Sequence, residues 1–130
     1  MIEVLFSFAI LVGGFEDMCK STPCVPPNVV HRDLNGYDGL FSGNNPDVVS
    51  IDTKFTKGTV DSNAIMVHEF VHYLQYLKGT YHSKIKCTYP LEKQAYDVAV
   101  EFYKTHGIKK DFRKELFYID LECRMQKRWK

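Results

Sequence analysis

The sequence predicts a single α+β domain, and three observations lead to this class. The chain has 130 residues, which is the length of one ordinary domain. Apolar residues make up 45% of it and charged residues 25%, close to the averages of globular proteins. A helix-like segment is followed by short strand-like segments and then by three more helix-like segments, an order typical of α+β rather than parallel α/β folds. We therefore expect residues 1–130 to form one domain.

The first fourteen residues contain an apolar run from Val4 to Val12. Its length suits either a buried helix that ends at Gly13-Gly14 or the apolar part of a signal peptide, and it is too short to span a bilayer. We favour the buried helix, because Glu3 stands where a signal peptide carries basic residues. For the same reason we favour a cytoplasmic location over secretion, and we expect no membrane span.

The next part of the chain predicts a short antiparallel sheet. A proline-containing linker over residues 21–28 leads to a short strand at 29–31, and turn signals flank a hairpin strand at 39–42. Residues 48–55 alternate, which predicts a half-buried strand. The side facing the core is expected to consist of Val49, Ile51, Thr53 and Phe55.

Helical spacing of apolar residues begins after Gly58. The polar cluster at 61–63 is expected to cap this helix, and Gly79 to end it. Its apolar face is expected to contain Val67, Phe70, Val71, Leu74 and Leu77. A further helix is expected from Pro90 to Gly107 and a last one over residues 111–127. The last helix should turn inward Phe112, Leu116, Ile119 and Met125.

The charge and the cysteines limit the possible partners only weakly. A formal net charge of +1 gives no strong field toward nucleic acid, so we expect no nucleic-acid partner. The four cysteines permit two disulfides in three connectivities, or free buried thiols, and both alternatives stay open. The oligomeric state stays open as well.

The pattern H-E-x-x-H lies inside the helix after Gly58 and consists of His68, Glu69 and His72. Residues four apart project from one helical face, so the two imidazoles can supply two corners of a zinc tetrahedron. Glu69 lies beside them, where it can take a proton from a zinc-activated water. The alternative is a solvated polar stripe on a buried helix. We favour zinc, because the segment is helical by its own periodicity and its opposite face is apolar.

A catalytic zinc needs a third protein ligand, and Glu92 is the residue that we predict. A third histidine at position 78 is excluded, because Gln75 and Lys78 stand where the longer H-E-x-x-H-x-x-G-x-x-H pattern needs glycine and histidine. Glu92 lies in the first turn of the next helix, from which it can reach the metal if the two helices pack antiparallel. The alternative is a glutamate favoured there by the helix dipole. We rank Asp97 and Glu101 below Glu92 as ligands.

These motifs resemble those of the gluzincin metallopeptidases, in which two histidines of one helix and a glutamate of the next bind zinc. The chain is most similar to the minimal, single-domain gluzincins of bacterial or phage type (minigluzincin-like forms). The similarity lies in H-E-F-V-H-Y-L-Q at 68–75 and L-E-K-Q-A-Y at 91–96, and by pattern it covers residues 48–107. Thermolysin-type enzymes carry N-E-x-x-S-D around the third ligand, and this chain departs from that pattern.

The resemblance implies a small zincin-like domain with a short antiparallel sheet, an H-E-x-x-H active-site helix and a facing helix that carries a glutamate. It implies one Zn²⁺ per chain, held by His68, His72 and Glu92, and peptide-bond hydrolysis with Glu69 as the catalytic base. The partner would be a peptide or protein substrate. The alternative function is a catalytically silent zinc-binding domain with an interaction or regulatory role.

The resemblance also bears on how substrate would be held. By analogy, residues 48–55 are either the edge strand that pairs with an extended peptide or an ordinary structural strand. Some gluzincins place a tyrosine or histidine across the cleft to stabilise the oxyanion. Tyr96 is our first candidate for contact with the site, ahead of Tyr89 and His106, and a packing or surface position is the alternative for all three.

Overall fold

The structure is a computed structural model, and it describes residues 1–82 and 86–128. Within these ranges the chain forms five helices and a small three-stranded sheet, which confirms the α+β class. The elements are α1 (Ile2–Gly13), α2 (Glu16–Ser21), β1 (Asn28–Arg32), β2 (Gly39–Phe41), β3 (Val48–Asp52), α3 (Val60–Lys78), α4 (Tyr89–Thr105) and α5 (Arg113–Arg128). The six-residue helix α2 was not predicted.

The sheet is mixed, so the prediction of an antiparallel sheet was only partly correct. Its strand order is β1-β3-β2. Strands β2 and β3 form the expected antiparallel hairpin, with Gly39 opposite Ile51. Strand β1 pairs in parallel with β3, with His31 opposite Ile51. Strand β2 pairs with one edge of β3, and β1 pairs with the other edge.

Strand β3 is the central strand, so of the two alternatives for residues 48–55 the ordinary structural strand is the one that the sheet order supports. The strand ends at Asp52, and its polar residues Ser50 and Asp52 are buried together with the apolar ones. Burial of these two side chains is possible because both have partners. Ser50 Oγ accepts a hydrogen bond from Arg32 Nε at 3.0 Å, and the Asp52 carboxylate accepts two from backbone N–H groups at 2.8 and 2.9 Å.

Helix α1 belongs to the core, as predicted. Its buried residues Leu5, Phe6 and Ala9 face α3 and α4, and Phe6 meets the ring of Phe70 edge-on at 5.3 Å between centroids. The helix ends where Gly14 adopts the left-handed conformation with φ 81°. No helix in the described part of the chain is long and apolar enough to cross a membrane.

Helix α3 is the central helix of the fold, with α1, α4 and the sheet packed around it. Its cap is Thr59, whose hydroxyl accepts a hydrogen bond from the Ser62 N–H at 3.2 Å, and not the polar cluster at 61–63. Gly79 ends it in the left-handed conformation, as expected. The predicted apolar face is buried except for Leu77, which lies in the last turn and is 43% exposed.

Helices α4 and α5 complete the domain. α4 begins one residue before the predicted Pro90 and packs along α3. α5 packs on α4, and Cys123 is its buried residue, whereas Met125, predicted to face inward, is half exposed. The apolar face of α5 is thus only partly covered.

Two disulfides pair the four cysteines. Cys19–Cys24 closes the loop after α2, and Cys87–Cys123 joins the segment before α4 to α5. This decides between the alternatives that the sequence left open. Disulfides are common in oxidising compartments and rare in the cytoplasm, so they do not support the expected cytoplasmic location.

Candidate metal site and cleft

Helices α3 and α4 run antiparallel, which brings the two halves of the predicted site together. Gln75 near the end of α3 contacts Leu91 near the start of α4, and Asp61 at the start of α3 contacts Tyr103 near the end of α4. Buried Ala95 and Ala99 allow the close approach of the helices.

The three predicted metal ligands converge between these helices. One ligand atom each from His68, His72 and Glu92 can be chosen so that all lie within 4.8 Å of one another. His68 Nε2 is 3.5 Å from Glu92 Oε2, and His72 Nε2 is hydrogen-bonded to Glu92 Oε1. Glu92, rather than Asp97 or Glu101, therefore places its carboxylate beside the two histidines, as predicted from the sequence.

The two lower-ranked acids lie away from the histidines. The Asp97 carboxylate pairs with Lys93 at 2.8 Å, and that of Glu101 pairs with Lys104 at 3.0 Å. Both pairs are exposed ion pairs of α4.

Burial and proximity give the cluster strongly shifted pKa values. Burial alone would lower the pKa of His72, but the hydrogen bond to Glu92 and the charges of Glu69 and Glu92 raise it to about 9. Burial alone would raise the pKa of Glu92, but hydrogen bonds to His68 and His72 hold it well below its usual range. Without a metal, His72 and Glu92 therefore form a proton-bridged ion pair at neutral pH.

The predicted base Glu69 is buried between α3 and the sheet. Its Oε2 lies 3.9 Å from His68 Nε2. Burial raises the pKa of Glu69, and the nearby histidines offset only part of this rise. On the sheet side it meets Gly39 of β2, where an added Cβ would lie 2.9 Å from Glu69 Oε2 and 2.6 Å from Ile65 Cγ2. The absence of a side chain at Gly39 is therefore what lets the strand approach the carboxylate.

A chain of amide side chains lies behind His72. Gln75 Oε1 is 2.8 Å from His72 Nδ1, and Gln75 Nε2 donates to the carbonyl of Leu91 at 3.0 Å and to Gln94 Oε1 at 2.9 Å. Gln94 Nε2 in turn donates to the carbonyl of Gly13 at 2.9 Å. Gln75 is 1% exposed, so its hydrogen bonds are made away from water.

The cluster opens into a cleft of about 640 Å³, within the usual range of ligand pockets. One wall is β2 with the turn before it, the other is α4 with the start of α5, and α3 forms the floor. Aromatic rings are frequent in its lining: Tyr37, Phe41, Phe55, Tyr81, Tyr96, Tyr103 and Phe112.

Two tyrosines lie against the histidines. Tyr96, the first candidate from the sequence, meets His68 edge-on at 4.5 Å between ring centroids. Burial, together with neighbouring carboxylates, raises its pKa to about 12. Tyr81, which was not predicted, lies 5.2 Å from His72 between centroids, and its hydroxyl donates to the carbonyl of Phe41 at 3.2 Å. Burial, reinforced by the charges of nearby glutamates, raises the pKa of Tyr81 as well.

The other two aromatic candidates do not line the cleft. Tyr89 lines separate surface grooves, and His106 packs on Phe102 at the end of α4. Neither side chain lies beside the histidines, and His106 is exposed.

The donor set agrees with zinc in chemistry and in scale. Two histidines and one glutamate are a known catalytic zinc set, and two ligands at about 2.05 Å from a tetrahedral zinc lie about 3.3 Å apart. The 3.5 Å between His68 Nε2 and Glu92 Oε2 is close to that separation. The same three residues can thus hold a metal ion once the hydrogen bond between His72 and Glu92 opens.

Comparison of the chain with models of protein families, with curated proteins and with solved structures finds no match. The interpretation of the site therefore depends on the chemistry of its own residues.

Proposed function

We propose that the protein is a zinc-dependent metallopeptidase of gluzincin type with a small zincin-like fold. One observation carries the proposal: two histidines one turn apart on α3 and a glutamate of antiparallel α4 converge, with a buried glutamate beside them, at the floor of an open cleft. His68, His72 and Glu92 would hold one Zn²⁺. When bound, zinc supplies Lewis-acid chemistry, since it polarises a carbonyl and makes a water more acidic.

Glu69 would act as the general base and then as the acid. It takes a proton from the attacking water and delivers it to the nitrogen of the leaving amine. A general base works best when its pKa lies near the working pH, and burial moves the pKa of Glu69 in that direction. Its position one residue after His68 keeps it beside the ligands without making it one.

Strand β2 would bind the substrate backbone. It pairs with β3 on one side only, and its residues line the cleft. An extended peptide that pairs with the other side would gain main-chain hydrogen bonds with little demand on its side chains. Gly39 would bring this strand, and the peptide with it, close to Glu69.

Tyr81 and Tyr96 would face the reacting carbonyl. Their raised pKa values keep both hydroxyls protonated near neutral pH, and Tyr81 would donate to a developing oxyanion only after its hydroxyl leaves the carbonyl of Phe41. Tyr81 lies on the side of His72 and Tyr96 on the side of His68. We further propose that the protein works in an oxidising compartment, where its two disulfides would persist.

Zinc content and peptide cleavage, measured on the same preparations, test the proposal. We expect about one zinc per chain in the wild type and in Glu69→Gln, and a clear loss in Glu92→Ala. Glu101→Ala is the matched control, because it removes an exposed carboxylate from the same helix. Cleavage of an unfolded protein such as reduced casein should fall about 10²- to 10⁴-fold in Glu69→Gln.

The outcomes separate the alternatives. If the wild-type chain binds no zinc, even after incubation with zinc, the proposed metallopeptidase function is refuted. Bound zinc without cleavage of any unfolded protein would indicate the catalytically silent zinc-binding domain. Equal zinc loss in Glu92→Ala and Glu101→Ala would mean that Glu92 is not the third ligand.

A further inference from the structure

Gln75 contacts both halves of the candidate metal site from behind. Its Oε1 faces His72 Nδ1, and its Nε2 faces the carbonyl of Leu91, the residue next to Glu92. It is fully enclosed between α3 and α4. A single rigid group thus connects a ligand of one helix to the backbone beside a ligand of the other.

Two backbone carbonyls fix the direction of every hydrogen bond that links Gln94, Gln75 and His72. A carbonyl oxygen can only accept, so the carbonyl of Gly13 requires the NH₂ group of Gln94 to face it, and Gln94 then presents its oxygen to Gln75. The carbonyl of Leu91 likewise requires the NH₂ group of Gln75. The remaining oxygen of Gln75 must face His72, where it can only accept.

The proton of His72 is fixed by the same reasoning. Because Gln75 presents an acceptor, Nδ1 of His72 must carry hydrogen, and the other ring nitrogen, Nε2, is the one that faces Glu92. A neutral imidazole with hydrogen on Nδ1 has its lone pair on Nε2, the form that a metal between the helices needs.

We propose that Gln75 is a positioning residue for the metal: it selects the metal-binding tautomer of His72 and fixes the start of α4, so that Glu92 meets the histidines. The inference rests on the proposed zinc site and deepens it. Gln94 is a support one step further away, with no contact to a ligand. Loss of Gln75 should therefore weaken zinc binding far more than loss of Gln94.

The test compares Gln75→Met with Gln94→Met, two changes that keep side-chain length and remove the amide. Zinc affinity is measured by competition with a chromophoric chelator, on chains whose fold is checked by circular dichroism. We expect Gln75→Met to bind zinc about 10- to 100-fold more weakly than the wild type, the usual effect of losing a group that orients a ligand. Gln94→Met should stay within about threefold, since it keeps both contacts of Gln75 with the site.

If Gln75 had a purely structural role, zinc affinity would change by the same factor in both variants. Both lose buried hydrogen bonds, so both should unfold at lower urea concentrations than the wild type. Equal zinc affinities in the two variants would overturn the proposal. If the wild type binds no zinc, the proposed function itself has failed, and the two failures are therefore distinguishable.

A measurement on the unmodified protein covers the case in which Gln75→Met does not fold. Nitrogen-15 NMR of the zinc-loaded wild type reports which imidazole nitrogen of His72 carries hydrogen. We expect a slowly exchanging proton on Nδ1 and the metal on Nε2. Zinc bound through Nδ1 of His72 would overturn the proposal without any variant.

Discussion

Replacement of Gly39 by alanine tests whether the close approach of β2 to Glu69, the proposed catalytic base, matters. The new Cβ would lie 2.6 Å from Ile65 Cγ2 and 2.9 Å from Glu69 Oε2. Ordinary contact begins at 3.4 Å, so the methyl group and these neighbours must separate by 0.8 Å and 0.5 Å, either by retreat of the strand or by displacement of Glu69. The φ of Gly39 is not in the left-handed region, so the effect is steric alone.

These shifts set the expected magnitudes. Overpacking of this kind costs about 1–3 kcal/mol of unfolding free energy. A displacement of about 1 Å in a catalytic group can lower the rate by about 10²-fold. Zinc affinity should change little, because the ligands lie on α3 and α4 and not on the strand. We therefore expect a protein that holds its zinc but cleaves peptides much more slowly.

The hairpin provides a matched control. In Gly43→Ala, the new Cβ would lie 3.8 Å from Tyr76, an ordinary contact, and φ is again outside the left-handed region. Urea unfolding, zinc competition and peptide cleavage are measured on both variants. Gly39→Ala with the activity and stability of Gly43→Ala would refute the reasoning that this approach is tight and functional.

Two further predictions concern stability. By chain entropy, a disulfide that closes a loop with a sequence separation of 36 residues stabilises the fold by about 4 kcal/mol, and one with a separation of 5 by about 2 kcal/mol. Replacing Cys87 and Cys123 by serine should therefore destabilise the protein more than replacing Cys19 and Cys24. Equal urea midpoints for the two double variants would contradict this order. In the metal-free protein, protonated His72 stabilises the fold because its pKa is raised on folding. This contribution to the unfolding free energy is complete below pH 6.5 and is lost as the pH rises through about 9. Unfolding free energy should therefore fall by roughly 3 kcal/mol at most between these values, and a His72→Gln variant, which lacks the titrating group, should show a much smaller fall.

The helices and the ligands were predictable because their signals are local. The periodicity of α3 places His68 and His72 on one face, and the first turn of α4 offers a carboxylate at Glu92. The choice of Glu92 also required α3 and α4 to pack antiparallel, and consecutive elements of a chain are usually adjacent in space. Local patterns therefore predicted the three residues that the fold brings together.

The sheet and the surroundings of the ligands were not predictable in the same way. Strand pairing is non-local, so nothing in residues 28–32 indicated a parallel partner. The alternation of residues 48–55 predicts exposure of one face, whereas Ser50 is buried because Arg32 reaches it from another strand. The helix α2 is too short to show a period.

The supporting residues of the site carry no periodic signal. Tyr81 follows Gly79 outside any helix, and its place beside His72 depends on the path of the chain after α3. In the sequence, Gln75 is a polar residue at the position where the longer zinc-binding pattern has glycine. Its function depends on two carbonyls of α1 and α4, which no pattern within α3 reveals.

The position of α1 has a consequence for maturation of the protein. A cut at Gly14 would strip Leu5, Phe6 and Ala9 from the back of α3 and would remove the carbonyl of Gly13 that orients Gln94. Loss of α1 would thus disturb the candidate metal site through α3, the helix that carries His68 and His72.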